Sequence, residues 1–295
     1  MLEINGIEID RAPSREIAEL VPEAIKKSEM SGFDAAFLCG LLERYRPRKI
    51  VEVGVSSGGT TAVVLQCMED LGYDYEMYSV ELREIVHYET NKRAGYLATE
   101  AAEKLGVNNW TLLTGGVLPD FVDQIGDGID FLLLDTTHRL PGEVLEFLVA
   151  YPHLAEHAVV CMHDIRQNFK RWTATTSIAT NVLFASVVAE KILCEDEKRS
   201  HGYPNIGAFR INEDTGRYIC NVALALMPNW GLAMDAEHLD SYMRSIEASY
   251  DPEVVWVVRH AAALNADRLA SEPGWAKALW EVITRISKKT DKTSK

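Results

Sequence analysis

Residues 49–65 read KIVEVGVSSGGTTAVVL and join an apolar, β-branched stretch to a helix-forming stretch through a glycine-bearing turn. IVEV is typical of a buried strand, and TTAVVL can begin a helix. Gly54, Gly58 and Gly59 let backbone N–H groups approach a ligand above the strand end, where a helix N-terminus favours polar or anionic groups. This stretch predicts a strand, a loop and a helix that together hold a nucleotide-type ligand.

The glycine spacing of this loop is E-x-G-x-x-x-G. It differs from the G-x-G-x-x-G of dinucleotide folds, and no Lys follows Gly59 as a phosphate-binding loop would require. Taken alone, the loop is also compatible with a tight strand-to-helix turn that binds nothing.

Apolar segments of strand and helix length alternate after the loop. Strands are predicted at residues 73–82, 109–114, 129–134 and 158–162, and helices at 34–45, 93–105, 118–125 and 144–154. Continuous apolar runs such as IDFLLL are typical of strands covered on both faces. The pattern predicts an α/β fold with a doubly wound, mainly parallel sheet, whose ligands lie at the carboxyl ends of the strands.

Three regions are distinguished along the chain. Residues 1–33 are predicted to be an N-terminal helical lead or cover, with a helix near 15–27, and Asp34 is predicted to cap the next helix. Residues 34–226 form the α/β core, with an acceptor-side insertion after 165 and late strands at 206–211 and 218–226. Residues 227–295 complete a C-terminal α+β extension that is mostly helical over 235–268 and ends in a basic tail.

Composition restricts the partners. The 295 residues carry a formal net charge of -14, which argues against general binding to nucleic acid or to an anionic membrane. The five cysteines show no metal-finger or disulfide spacing. No stretch is typical of a signal peptide or a membrane span, so the predicted location is the cytoplasm. Assembly into a homo-oligomer stays open.

Polar residues end four of the predicted strands. They are Glu52 with the Gly54 loop, Glu81, Asp135, and the pair His163 and Asp164. A carboxylate after the second strand can accept both hydroxyls of a ribose, which makes Glu81 the natural partner of a nucleoside. Each residue alone is equally compatible with a solvated acid, a turn cap or a hydrogen-bonded loop.

The segments VEVGVSSGG, SVEL, DFLLLDTTH and VVCMHDI, in this order, resemble class I S-adenosylmethionine-dependent methyltransferases. They are most similar to the metal-assisted O-methyltransferases of small molecules, including the catechol and the macrolide-sugar and rhamnosyl types. The resemblance covers about residues 34–166 and implies a Rossmann-like methyltransferase fold with S-adenosyl-L-methionine as cofactor. The cofactor-binding positions that it implies are Glu52, Gly54, Ser56, Gly58, Glu81, Gly115 and Gly116.

The same resemblance implies a divalent cation and a general base. The implied metal ligands are Asp135, His163 and Asp164, an oxygen-rich set that suits Mg²⁺, while the imidazole would also admit manganese or a later metal. A divalent ion lowers the pKa of a coordinated hydroxyl and orients it. His138, three residues after Asp135, stands where the family carries its base, and an imidazole can accept a hydroxyl proton near neutral pH.

The sequence departs from the family pattern in places. Gly116 replaces an acid near the adenine, and Thr136-Thr137 replaces the more acidic D-x-D-H sequence of some sugar methyltransferases. The acceptor side after residue 165 matches no known pattern. Its aromatic residues fit a ring-stacking pocket or an ordinary core, and its polar residues are pocket candidates. These residues are Phe169, Trp172, Tyr203, Phe209 and Trp230, and His201 and Arg210.

The predicted function is S-adenosylmethionine-dependent O-methyl transfer to a hydroxyl of a small molecule or sugar, assisted by a divalent metal. The predicted catalytic residues are Asp135 and His138, and His138 is the predicted base. One alternative is a non-catalytic member of the fold that binds the cofactor or a sugar. The other is a nicotinamide-dependent oxidoreductase, which is disfavoured because the Gly54–Gly58 spacing is not that of a dinucleotide fold.

Overall fold

The computed structural model describes residues 2–4, 7–10, 30–169, 175–194 and 204–271. The strands are β1 (Leu2–Ile4), β2 (Ile7–Asp10), β3 (Lys49–Val53), β4 (Glu76–Glu81), β5 (Trp110–Thr114), β6 (Ile129–Leu134), β7 (Leu154–Met162), β8 (Glu190–Cys194) and β9 (Gly207–Arg210). The α-helices are α1 (Gly32–Tyr45), α2 (Gly59–Leu71), α3 (Tyr96–Leu105), α4 (Val122–Ile125), α5 (Gly142–Ala150), α6 (Ala179–Ser186), α7 (Glu213–Arg217), α8 (Ile219–Leu224), α9 (Ala236–Ser249) and α10 (Pro252–Ser271). Short 3-10 turns cover Leu118–Asp120, Tyr151–His153 and Gln167–Phe169.

These strands form one sheet in the order β1-β2-β8-β9-β7-β6-β3-β4-β5. Strands β3 to β7 pair in parallel, while β9 is antiparallel to both of its neighbours. The chain moves outward from β3 to β5, then returns to place β6 on the other side of β3. This change of direction creates a crevice at the carboxyl ends of β3 and β6, where ligands of such sheets bind. The prediction of a doubly wound, mainly parallel α/β sheet is confirmed.

Alternate residues of the central strands enter two separate cores. Val51 of β3 packs with Leu132 of β6 on one face. Ile50 packs with Phe131 on the other face, against α1 and α2. Because both faces are covered, the central strands carry apolar residues at nearly every position, which explains the continuous runs in the sequence.

Most predicted elements of the core are present, with boundaries shifted by a few residues. The strand predicted at 206–211 is confirmed as β9. The strand predicted at 218–226 is wrong, because helices α7 and α8 occupy residues 213–224. The side chain of Asn212 accepts hydrogen bonds from the backbone N–H groups of Asp214 and Thr215 and so caps a helix directly before the apolar residues 218–226. This helix start outweighs the strand propensity of those residues.

The N-terminal region also differs from the prediction. Residues 2–4 and 7–10 form a hairpin at the sheet edge, with β2 parallel to β8. The helix predicted near residues 15–27 lies outside the described residues. Helix α1 begins with Ser31 as its N-cap, and Asp34 is the third helical residue that completes the capping box, so Asp34 is not the cap itself.

Strand β8 was not predicted as a strand and carries a half-buried lysine, Lys191. The ammonium of Lys191 lies 4.7 Å from the ring centroids of Phe184 and Phe209. It donates a 2.5 Å hydrogen bond to the carbonyl of Phe184. Burial lowers the pKa of Lys191 to about 7.

Among the described helices, none combines the length and the apolar character needed to cross a bilayer.

Candidate active site

Two glycines of the loop after β3 are required by the backbone. Gly54 has φ +95°, and a Cβ there would lie 2.1 Å from the carbonyl oxygen of Asp135 at the end of β6. Gly58 has φ +87°, and a Cβ there would lie 2.9 Å from the Cα of Gly95 and from Ala98 of α3. The first glycine allows the ends of β3 and β6 to approach each other, and the second lets the loop pack on α3.

Glu81, at the end of β4, is bonded to this loop. Its Oε2 accepts hydrogen bonds from the backbone N–H groups of Val55, at 3.0 Å, and Ser56, at 2.8 Å. Its Oε1 accepts a hydrogen bond from the N–H of Arg83 at 3.0 Å. Oε2 thus uses both of its lone pairs, whereas Oε1 keeps one site, so the carboxylate can hold the loop and still receive a ligand hydroxyl.

A cavity of about 640 Å³ lies above the carboxyl ends of β3, β4 and β6. Six of the predicted site residues line it: Gly54, Ser56, Glu81, Gly116, Asp135 and His138. A Cβ at Gly116 would lie 2.9 Å from the carboxylate of Asp120, so the position leaves no space for the acid of the family pattern.

The remaining predicted residues lie below or beside the cavity. Glu52 is fully buried and accepts hydrogen bonds from the hydroxyls of Thr61, at 2.6 Å, and Ser79, at 2.7 Å. Burial raises the pKa of Glu52 to about 7. Glu52 therefore joins β3, α2 and β4 under the loop. Gly58, Gly115, His163 and Asp164 also lie outside the cavity lining.

His138 and Asp164 meet beside the cavity. Nε2 of His138 lies 3.1 Å from Oδ2 of Asp164 and 3.9 Å from Oδ1 of Asp135. Both His138 (φ 58°) and Asp164 (φ 57°) have left-handed backbone conformations, which cost energy outside glycine and concentrate at functional sites. The amide of Asn205 donates a 2.5 Å hydrogen bond to Oδ1 of Asp164.

A second imidazole lies behind the first. Nδ1 of His163 lies 3.3 Å from Oδ1 of Asp135, and its Nε2 lies 3.6 Å from Oδ2 of Asp34. Burial alone would lower the pKa of His163, but the charge of Asp135 and its hydrogen bond raise it well above the usual value. Burial would raise the pKa of Asp135, yet His163 brings it below the usual range. Asp34 thus connects the start of α1 to this network.

Two glutamates of α5 adjoin His138 and were not predicted as site residues. Oε1 of Glu143 accepts a 2.6 Å hydrogen bond from the backbone N–H of His138 and lies 3.3 Å from its Nδ1. Burial would lower the pKa of His138, but Glu143, Asp164 and Asp135 raise it to about 9. Glu146 lines the cavity and accepts a hydrogen bond from the hydroxyl of Thr136 at 3.1 Å. The signal that the sequence offered for them is a pair of acids, Glu143 and Glu146, about one helical turn apart and shortly after Asp135 and His138.

The outer wall of the cavity comes from the C-terminal part of the chain. Leu232, Met234, His238 and Tyr242 line it from the segment that leads into α9 and from α9 itself. Ser241 fixes this helix by a 2.5 Å hydrogen bond to Asp120.

The other acceptor-side candidates lie elsewhere. Phe209 is in the core, Trp230 donates its ring N–H to the carbonyl of Leu226, and Arg210 donates to the carbonyl of His157. None of these three lines the cavity. Trp172, His201 and Tyr203, and the side chain of Phe169, fall outside the described part of the structure.

Residues 51–165 match the family model described as a methyltransferase domain. This segment contains the glycine loop, Glu81, Asp135, His138 and Asp164, and it spans strands β3 to β7. The match agrees with the resemblance seen in the sequence and supports the assignment of residues 51–165 as a methyltransferase domain.

Solved structures of methyltransferases are similar to the chain at low sequence identity. The O-methyltransferase TomG from Streptomyces achromogenes, in complex with S-adenosylmethionine, is 15% identical with a TM-score of 0.48, covering 68% of this chain and 91% of that chain. The O-methyltransferase from Bacillus cereus, in complex with S-adenosylhomocysteine, is 16% identical with a TM-score of 0.44, covering 66% and 90%. The Podospora anserina methyltransferase PaMTH1 is 11% identical with a TM-score of 0.47, covering 70% and 91%. No curated protein matches the chain at a significant level.

Proposed function

We propose that the protein transfers the methyl group of S-adenosylmethionine to a hydroxyl oxygen of a small molecule or sugar. The observation that carries this proposal is the contact between His138 and Asp164 at the edge of the cavity that the glycine loop and Glu81 also line. A proton acceptor and a nucleoside-binding acid therefore adjoin one cavity.

The donor would occupy the part of the cavity formed by the loop. Glu81 would accept a ribose hydroxyl, and the loop from Gly54 to Ser56 would contact the methionine part of the cofactor. Gly116 and the apolar residues Val117 and Leu118 would contact the adenine. Asp135 places a carboxylate near the cationic parts of the donor, which favours its binding.

The reaction would form one O–CH₃ bond and break one S–CH₃ bond. The acceptor hydroxyl would lose its proton to the neutral imidazole of His138, the form that predominates above its pKa of about 9, while Asp164 lies 3.1 Å from Nε2. The sulfonium would leave as the neutral thioether of S-adenosylhomocysteine, with no other co-reactant. Positioned acid–base groups of this kind contribute roughly 10²–10⁴-fold to a rate.

The predicted divalent cation does not fit the side chains in this arrangement. Nε2 of His138 lies between the carboxylates of Asp135 and Asp164, where an ion shared by them would have to lie. His163 pairs with Asp135. Within the described ranges, no group of three or more acid, histidine or cysteine side chains has the placement to hold a metal. The cation therefore stays a prediction from the resemblance, and no step of the proposed reaction passes through it.

The test combines binding and turnover. Calorimetry with S-adenosylhomocysteine measures cofactor binding, and label transfer from methyl-labelled S-adenosylmethionine to a panel of hydroxylated compounds measures activity, with added Mg²⁺ and with EDTA. His138→Ala should lower the rate roughly 10²–10⁴-fold and leave S-adenosylhomocysteine binding in place. His157→Ala, at an exposed position remote from the cavity, is the matched control.

Two results would contradict the proposal. The first is absence of S-adenosylhomocysteine binding by the wild-type chain, and the second is full activity of His138→Ala. Binding without transfer to any hydroxylated acceptor would favour the non-catalytic alternative. A thermal shift with a nicotinamide dinucleotide, in place of S-adenosylhomocysteine, would favour the oxidoreductase.

A further inference from the structure

We propose that Glu143 is the positioning residue for His138, and that it holds the imidazole with Nε2 directed toward Asp164 and the cavity. This inference rests on the proposed O-methyl transfer, in which His138 and Asp164 receive the acceptor proton. Nothing in the match to the methyltransferase domain or in the sequence motifs assigns a role to Glu143.

One oxygen of Glu143 contacts His138 at two points. Oε1 accepts the backbone N–H of His138 at 2.6 Å, and the same atom lies 3.3 Å from Nδ1 of the ring. The second contact is an ion-pair distance without the angle of a hydrogen bond, since Nδ1 has no hydrogen-bond partner among the described residues. Backbone and ring are thus both held by one carboxylate.

Glu143 is costly to bury, which argues against a purely stabilising role. It is 0% exposed, and its Oε2 has no hydrogen-bond partner in the part of the chain that the structure describes. A buried carboxylate with an unsatisfied oxygen destabilises a fold, which points to a role for Glu143 other than stability. Its position in the first turn of α5 reduces this cost, because a helix N-terminus favours a negative charge.

The backbone of His138 requires such a restraint. Its φ of 58° is unfavourable for a side chain with a Cβ, so a free loop would relax away from it. The hydrogen bond that the His138 amide donates to Glu143 retains the backbone in this conformation. The ring then lies between Glu143 on its Nδ1 side and Asp164, 3.1 Å away, on its Nε2 side.

The first experiment is an NMR measurement on the ¹⁵N-labelled full chain, with no acceptor needed. The backbone amide proton of His138 and the ¹⁵N shifts of its ring are assigned by comparison with His138→Ala. Glu143→Ala should move both sets of signals. Glu146→Gln is the matched control for these signals, because Glu146 lies on the same buried helix face and bonds to Thr136 instead.

The second experiment measures turnover with an acceptor from the hydroxylated panel. Glu143→Ala should lower kcat roughly 10–100-fold with an unchanged KM for S-adenosylmethionine, as expected for loss of a residue that orients a reacting group. Glu143→Asp should recover part of the loss. If Glu143→Ala does not fold, the isosteric Glu143→Gln keeps an oxygen for the His138 amide and should move only the ring signals.

Unchanged His138 signals in Glu143→Ala, or an unchanged kcat, would overturn the inference. A kcat that falls together with S-adenosylhomocysteine affinity would also overturn it, because Glu143 would then support the donor site. The NMR result is independent of turnover. If the wild-type chain methylates nothing, the proposed reaction fails, while the NMR measurement still decides whether Glu143 fixes His138.

Discussion

Glu81→Ala should weaken the binding of S-adenosylhomocysteine by about two orders of magnitude. In the wild-type chain, one oxygen of Glu81 receives the N–H groups of Val55 and Ser56, and the carboxylate lines the cavity. The substitution removes the proposed acceptor of a ribose hydroxyl and also releases the loop that would surround the donor.

The magnitude follows from the number of charged hydrogen bonds. A hydrogen bond to a charged group is worth ~1.5–3 kcal/mol, and Oε1 has one site for a ribose hydroxyl. Release of the loop adds to this loss, while water that enters the space left by the removed carboxylate restores part of it, which leaves about 3 kcal/mol. Since each 1.4 kcal/mol is a factor of ten, Kd should rise roughly 100-fold.

Isothermal titration calorimetry with S-adenosylhomocysteine measures this change, and urea unfolding reports any loss of fold in the same variant. Glu84→Ala, at an exposed position three residues later, is the control and should leave Kd unchanged. If folded Glu81→Ala bound S-adenosylhomocysteine as tightly as the wild type, the assignment of Glu81 to the ribose would be refuted.

Three further variants test the fold around the cavity. Gly54→Ala should abolish soluble expression or cofactor binding, because its Cβ would lie 2.1 Å from the Asp135 carbonyl; normal expression and binding would contradict this. Lys191→Met should stabilise the chain most at pH 7 and below. The pKa of Lys191 is lowered from 10.5 to about 7 in the folded chain. Protonation of the lysine therefore has no effect on the free energy of unfolding above pH 10.5, and it reduces that free energy progressively as the pH falls to 7. The gain in unfolding free energy of Lys191→Met over the wild type, measured by urea unfolding, should shrink by up to about 1.4 kcal/mol per pH unit between pH 7 and 9. An equal gain at pH 7 and at pH 9 would contradict this prediction. Asn265→Ala should cost ~1–3 kcal/mol of unfolding free energy, because the backbone N–H of Trp230 loses the side-chain oxygen of Asn265 that accepts its hydrogen bond at 2.8 Å. Wild-type stability of the variant would argue against this.

The central sheet was predictable because its information is local. Each buried strand is an apolar run that ends at a polar residue, and Gly54 and Gly58 stand where the backbone needs a positive φ and a close approach. Strand β8 lacked this signal. Its five residues include the charged Glu190 and Lys191, and pairing with β2 on one side and β9 on the other makes it a strand.

The site was predictable only in its strand-end residues. Asp135, His138 and Asp164 follow directly from strand ends or the turn after one. Glu143 and Asp34 join them through contacts that no spacing encodes, the first through a left-handed turn at His138 and the second through α1 packing beside β7. Glu52, in contrast, carries the motif but lies beneath the loop, because Thr61 and Ser79 satisfy its carboxylate there.

The outer wall formed by Leu232, Met234, His238 and Tyr242 comes from a part of the chain that lies beyond the segment with methyltransferase similarity. A fragment limited to residues 51–165 would keep the loop and the strand-end acids but open the cavity on one side. Conversely, recombining residues 232–242 between homologous enzymes would exchange one wall while the loop and His138 stay in place. New ligand preferences can therefore arise by segment exchange, whereas point changes in the loop would damage the proposed donor site.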